Sequence, residues 1–352
     1  MTNQEKLLSI LDKAYQEGVD SYTPTPIDED IPLHNITNSA VDEFLNELPL
    51  EGYKQTDISL LVPQLFKIEE DSEASWTESI NPYIVRGDGD TVVMTDSKGV
   101  SVEYTPYRNT FRLMDLMPDE VYSWKMMKSG KVVNSGQFKT YGKARLIGLD
   151  KLVNFRDLYV PNYVKPGKVY RGANPDSVEL DSNDHKTLQR LGINVQINLR
   201  TASQDPPRTD LFAQTYSYNI TDYTDILTNT TNVKNVVTAL ANSLASGKIV
   251  YFNCFAGADR TGTLSYLIQA LCGVPQGILE AHWELTSLCR WCNFKLWSYE
   301  RKDYTKGELR SFVANITKLY GNDPYTQAYR YFTEKCKIDK TVLDKIINNL
   351  KA

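Results

Sequence analysis

The sequence predicts an α/β domain with a central sheet flanked by helices at residues 142–352. An all-β sandwich at 58–141 precedes it, after short helices and a linker at 1–57. Three observations predict this. From about Ile58 to Tyr141, short β-prone runs alternate with Gly, Asp and Asn turn signals, the texture of a sandwich. After Thr140, strand-like and helix-like runs alternate, the texture of a layered α/β fold. Within that part, the apolar run Ile249 to Phe252 enters a small-residue loop, Cys254 to Asp259, that leads straight into a helical run. A loop beyond a strand's C-terminal end is where such folds bind ligands.

In chain order, residues 4–17 predict a short amphipathic helix stopped by Gly18. Residues 22–36 carry Pro24, Pro26 and Pro32 among acids and read as an extended linker. A second helix is expected from Ser39 to Leu48, with Val41, Phe44, Leu45 and Leu48 on one face. Strands of the sandwich are expected at 91–94, 100–104, 110–113, 121–126 and 135–140. Gly87-Asp88-Gly89-Asp90 reads as a hairpin turn, since no bidentate acid follows at calcium-loop spacing. Downstream, strands are expected at 169–171, 194–199, 216–220 and 248–253. Helices are expected at 183–191, 206–214, 230–246, 261–272, 275–289, 307–320, 324–335 and 339–350.

The whole chain narrows the function classes. A formal net charge of −5 over 352 residues gives no support for nucleic-acid binding, so an anionic substrate needs a local positive site. Five scattered cysteines are not a disulfide framework. Cys289 and Cys292 read as packed thiols on a helical, apolar run. His34, His185 and His282 show no metal-ligand spacing, and no metal or cofactor is expected. No apolar run reaches the roughly 18 residues of a membrane span, and the N-terminus lacks a signal-peptide pattern. A cytoplasmic location is expected, or one outside the cytoplasm if a leader was removed.

The chemistry concentrates on the loop. Its N–H groups and the following helix dipole make an anion site. The same field favours a thiolate at Cys254. Arg260, with five residues between, can hold two phosphate oxygens bidentately. A thiolate facing a bound phosphate reads as nucleophilic phosphoryl transfer.

Cys254-x-Ala256-Gly257-x-Asp259-Arg260-Thr261-Gly262 resembles the C-x-A-G-K-D-R-T-G loop of the bacterial tyrosine-phosphatase-like family of cysteine-based, C-x5-R phosphatases. Asn154 to Leu158 resembles its N-F-R-D-L opening. Val169 to Ala173 resembles its V-Y-R-S-A strand, with Gly172 for serine. Leu188 to Arg200 resembles its L-x-x-L-G-I-x-x-V-I-D-L-R, with Asn198 for aspartate. The resemblance covers roughly residues 145–350. It departs at Asn253, where the family has histidine, and at Ala258, where it has lysine; Ala258 is expected to leave room beside the phosphate without a charge. Leu116-Met117-Pro118-Asp119-Glu120-Val121-Tyr122 resembles the L-x-P-x-x-x-Y corner of fibronectin type III domains, which implies an immunoglobulin/fibronectin-like sandwich.

The resemblance implies a protein tyrosine or dual-specificity phosphatase acting through a phosphocysteine, on a phosphorylated protein or small phosphomonoester. Cys254 would be the nucleophile. Phe255, Ala256, Gly257, Ala258, Asp259 and Arg260 would bind phosphate. Thr261 would cap the helix or bond the cysteine sulfur. For the general acid, Asp222 is the first choice, Asp259 the rival and Asp225 the third. Arg156, Asp157, Arg171 and Arg200 read as buried pairing under the loop. Two other readings stay open: a phosphoinositide or inositol-polyphosphate phosphatase, and a catalytically silent phosphate-binding module. The partner of the sandwich is unknown.

Overall fold

The computed structural model describes residues 31–37, 41, 42, 45, 81–149, 151–175, 180, 182–221, 224–288 and 308–352. The chain divides into two compact units, Met1–Thr37 with Asn81–Gly142, and Asn38–Ile80 with Lys143–Ala352. The expected helix at 4–17 and the cysteine pair Cys289 and Cys292 lie outside the described residues. Of the expected helix 39–48, Val41, Asp42 and Leu45 are described, and they are helical.

In the first unit, β1 (Leu33–Asn35), β3 (Thr91–Thr95), β4 (Ser101–Tyr104), β6 (Val121–Lys128) and β7 (Lys131–Tyr141) form one sheet in the order β1-β7-β6-β3-β4. β2 (Tyr83–Arg86) and β5 (Thr110–Leu113) form a second, two-stranded sheet. Alternation does the sorting: Val92 and Met94, Phe111 and Leu113, Trp124 and Met126 point inward as every second residue. They meet in one core with Val85, Tyr122 and Phe138. Tyr83 stacks on Phe138 with ring centroids 3.7 Å apart. β6 and β7 run past their expected ends and close through Ser129 (φ 50) and Gly130 (φ 74). Two positive φ values are what a tight hairpin turn requires.

Two expectations change here. Part of the linker is a strand, because β1 pairs in parallel with the end of β7. Gly87–Asp90 is not a hairpin turn; it carries the chain from the small sheet to the large one. Asp88 there pairs with Lys128, and Asp90 accepts the Ser129 N–H at 2.6 Å.

In the second unit, β8 (Arg156–Asp157), β9 (Val169–Gly172), β10 (Ile193–Asn198), β11 (Gln214–Ser217) and β12 (Ile249–Asn253) form a sheet in the order β11-β10-β12-β9-β8. Only β8 runs antiparallel; the rest are parallel neighbours. Besides the helical residues Val41, Asp42 and Leu45, the α-helices among the described residues are α1 (Ser182–Arg190), α2 (Thr230–Ala245), α3 (Asp259–Leu271), α4 (Gln276–Glu284), α5 (Glu308–Tyr320), α6 (Pro324–Arg330) and α7 (Lys340–Leu350). Apolar residues lie on both sheet faces, as burial in two clusters shows. This is an α/β layered arrangement with β12 in the middle.

The expected helix at 206–214 does not form. Pro206 and Pro207 keep the backbone extended, and only one turn follows, Leu211 and Phe212 N–H on the Arg208 carbonyl. Gln214 to Ser217 is then free to pair with β10, two residues earlier than expected. The expected helix 324–335 is α6 followed by a wider π turn at Tyr331–Lys335. No helix among the described residues is long and apolar enough to cross a membrane.

Candidate active site

β12 is buried along Val250 to Asn253 and delivers Cys254 at its C-terminal end. Cys254 is buried, and α3 begins five residues on, at Asp259. That start is two residues earlier than expected. The Gly262 N–H already bonds the Ala258 carbonyl at 2.8 Å, so Ala258 takes the cap position. Thr261 is therefore inside the first turn and does not cap. Its buried hydroxyl has no hydrogen-bond partner among the described residues, so the expected bond to the Cys254 sulfur is not formed.

The loop's carbonyls are all held. Cys254 C=O accepts from Asn253 Nδ2 at 3.3 Å, and Phe255 C=O from the Asn174 N–H at 2.9 Å. Ala256 C=O accepts from Asn154 Nδ2 at 3.1 Å, and Gly257 C=O from Arg171 Nη2 at 2.6 Å. The Ala258 carbonyl is closed by Gly262. In a trans peptide the N–H points opposite to the carbonyl, and no peptide here is cis. Carbonyls tied outward therefore turn the N–H groups of residues 255–259 inward. With the positive end of α3 behind them, they make a nest for a tetrahedral anion.

Gly257 makes the turn possible. Its φ is +66°, and a Cβ there would lie 2.2 Å from the Gly172 carbonyl carbon. Gly172 is tight in turn: a Cβ on it would meet the Tyr251 hydroxyl at 2.8 Å. That hydroxyl donates to the Ala173 carbonyl.

Of the four residues read as buried pairing, Arg156, Asp157 and Arg171 are buried and Arg200 is half-buried; each is held by a partner. Arg171 Nη2 bonds the Gly257 carbonyl. Asp157 pairs with Arg145 at 2.9 Å, and Arg200 with Asp205 at 2.6 Å. Arg156, 2% exposed, donates to Asn154 Oδ1, to the His282 carbonyl at 3.1 Å and to Thr286 Oγ1 at 3.3 Å. Asn154 itself sits at φ 58, a left-handed conformation that asparagine tolerates.

Beside the loop lies an amide network that sequence reasoning missed. Gln196 Nε2 donates to Asn253 Oδ1 at 2.9 Å, and Asn253 Nδ2 reaches Asn198 Oδ1 at 3.5 Å. Asp205 takes Asn174 at 2.7 Å, Asn198 at 3.2 Å and Arg200. Two of the positions that depart from the family pattern, 253 and 198, are thus neighbours. At the mouth, Phe255 is 45% exposed, with the Arg200 guanidinium 5.2 Å from its ring centre.

Arg260 Nη1 donates to the Ile220 carbonyl at 3.0 Å. That ties the arginine to the chain leading towards Asp222. Asp222 lies outside the described residues, and so does the side chain of Asp225. The Asn219 carbonyl next door accepts from both Asn229 and Asn232. Asp259 is half-buried as the first residue of α3. Ala258 does not leave open room: it is 3% exposed and belongs to the same buried cluster as Ile147, Leu149 and Leu152. It can contribute only its N–H to a ligand.

His282 is buried, and burial, helped by Arg156 and Arg171, lowers its pKa to about 3. The unfolded chain binds a proton at about 6.5 that the folded chain refuses. Stability from this residue is thus full above pH 6.5 and lost progressively as pH falls towards 3, at about 1.4 kcal/mol per unit. His282→Gln is expected to flatten the urea-measured stability profile between pH 6.5 and 4. An unchanged slope would show that other groups set it.

Residues 147–352 match the tyrosine phosphatase family. A tyrosine-protein phosphatase of Nostoc commune is 24% identical over 136 residues, 32% of this chain and 46% of its own length. The chain thus spans just under half the length of that curated relative.

Proposed function

The chain belongs to the tyrosine phosphatase family, and on that premise we propose that it hydrolyses phosphomonoesters with Cys254 as nucleophile and Arg260 as phosphate clamp. The observation that carries this is the loop with every carbonyl from Cys254 to Ala258 held outward. Its N–H groups are preorganised for the equatorial oxygens of a transferring phosphoryl group. The Cys254 thiolate attacks phosphorus and forms an S–P bond as the ester P–O bond breaks. The leaving oxygen takes a proton from an aspartic acid. Water then attacks phosphorus, gives its proton to that carboxylate, and the S–P bond breaks to return the thiolate and inorganic phosphate. Arg260 and the amides stabilise the charge.

Asp222 is the first candidate for the acid, supported by the Arg260–Ile220 bond two residues before it. Asp259 remains the rival from within the loop. We read the substrate as a phosphorylated protein or small phosphomonoester, of tyrosine or dual-specificity type. The described part of the first unit, residues 81–141 with β1, fits a fibronectin-like sandwich, and residues 58–80 of the expected span lie outside the described residues. The Tyr122 hydroxyl accepts the Met117 N–H at 2.9 Å, the corner that the L-x-P-x-x-x-Y pattern implies.

The inositol-polyphosphate reading is weakened by where the nearby cations point. Arg156 and Arg171 hold backbone carbonyls beneath the loop. Ala258→Lys is expected to cost about 1–3 kcal/mol by overpacking a closed site. It should bring no selectivity for inositol polyphosphates in kcat/KM. A tenfold gain for them, with stability kept, would revive that reading.

Turnover of p-nitrophenyl phosphate tests the proposal directly. Activity should persist in a chelator, be blocked by iodoacetate, and be protected by inorganic phosphate. A folded protein that binds phosphate but turns nothing over would favour the silent module.

A further inference from the structure

A cavity of about 250 Å³ lies in the second unit, between the 160–163 turn that follows β8 and the outer face of α4. Val160, Ile278 and Ala281 give it apolar walls, with Tyr163, Lys143 and His282 also lining it. A dry apolar cavity of about 150 Å³ takes up benzene, so this one has room for a ring with a substituent. Lys143, exposed, is the only charged side chain among the lining residues.

The imidazole adds a buried donor. Gln269 Nε2 donates to the Leu158 carbonyl at 3.1 Å, which identifies it as the amide nitrogen. The same nitrogen faces His282 Nδ1 at 3.5 Å, so Nδ1 is the acceptor and the ring proton sits on Nε2. His282 is 5% exposed and lines the cavity. A buried N–H in an apolar chamber, with one ammonium nearby, selects an apolar body carrying an anionic acceptor.

The same turn of α4 also reaches the loop, by two routes. The His282 carbonyl, at the unsatisfied end of the helix, takes Arg156. Arg156 holds Asn154, which holds the Ala256 carbonyl. The next residue, Trp283, lies on the backbone at the start of α3: a Cβ on Gly262 would be 2.5 Å from its ring. A ligand that shifts residues 281–283 therefore moves an anchor of the loop and the base of the helix behind it.

We infer that this cavity is an effector site for a small monocarboxylate with an apolar body, whose occupancy is coupled to anion binding at the Cys254–Arg260 loop. The coupling half rests on the loop being a phosphate site; the binding half does not. The test uses the full chain, calorimetry and two probes, benzoate and inorganic phosphate, so it needs no turnover. Benzoate is expected to bind while phosphate saturates the loop. Saturating benzoate should change the phosphate Kd by about fivefold, and phosphate should change the benzoate Kd by the same factor. Ile278→Trp should fill the chamber and remove benzoate binding. Lys143→Ala, an exposed change that spares folding, should weaken benzoate by about three- to fivefold and leave benzyl alcohol unaffected. Benzoate binding that saturating phosphate abolishes would place benzoate in the loop and overturn the site. So would no binding, or equal binding to wild type and both variants. Reciprocal Kd values that do not change would overturn the coupling. An inactive protein that passes these tests would sink the phosphatase reading and leave the effector site standing.

Discussion

Cys254→Ser is expected to lower kcat on p-nitrophenyl phosphate by about 10⁴-fold or more, with inorganic phosphate binding within a few-fold of wild type. Losses of this size follow removal of a nucleophile when the remaining machinery cannot replace it. Serine fits the site, since Cys254 is buried at a strand end and its carbonyl bond from Asn253 does not involve the side chain. A serine hydroxyl is not ionised by a helix N-terminus, so the attacking anion is gone. On the proposed reading the phosphate is held by backbone N–H groups and Arg260, none of which the substitution removes. The split between lost turnover and kept binding is therefore the informative measurement. Residual activity within a hundredfold of wild type would remove Cys254 from the mechanism.

The second large effect is expected from a methyl group. Gly257→Ala forces a side chain into a left-handed backbone at φ +66°, which costs about 1–2 kcal/mol by itself. The added carbon would also lie 2.2 Å from the Gly172 carbonyl carbon and 2.3 Å from its oxygen. Gly172 cannot retreat, because it is a β9 residue with Phe155 and Tyr251 against it. The loop must yield, and the Gly257 carbonyl must leave Arg171. Each displaced oxyanion donor is worth about 10²–10³ in kcat. A loss of about 10³-fold in kcat/KM is expected, with a lower Tm and weakened phosphate binding. That pattern differs from Cys254→Ser, where binding survives. Turnover within tenfold of wild type would show that the loop's backbone is not what binds phosphate.

The same two residues show how much could be read without coordinates. Cys254, Gly257 and Arg260 stand within seven positions, and the strand and helix on either side have strong local patterns. Proline pairs and paired edges were less legible. Pro206 and Pro207 replaced an expected helix with a turn, and Leu33–Asn35, in a proline-rich run, found a strand partner about a hundred residues away. Thr261 and Ala258 changed roles because α3 starts at Asp259, an end effect of one turn that periodicity does not resolve. Asp205 gave no signal at all: an aspartate next to prolines reads as a turn, yet its carboxylate gathers Asn174, Asn198 and Arg200.

The sequence by itself determined the Cys254–Arg260 loop, the helix behind it and the alternation that builds an α/β layer, because these depend on neighbours within a few residues. Only the tertiary structure decided which way the loop's peptides face. The residues that hold them are distant: Arg171 is 86 positions from Gly257, Asn154 is 102 from Ala256, and Arg156 is 126 from His282. A carbonyl's direction is set by the donor that meets it, and those donors arrive only when β8 and β9 pair beside β12 and α4 closes over them.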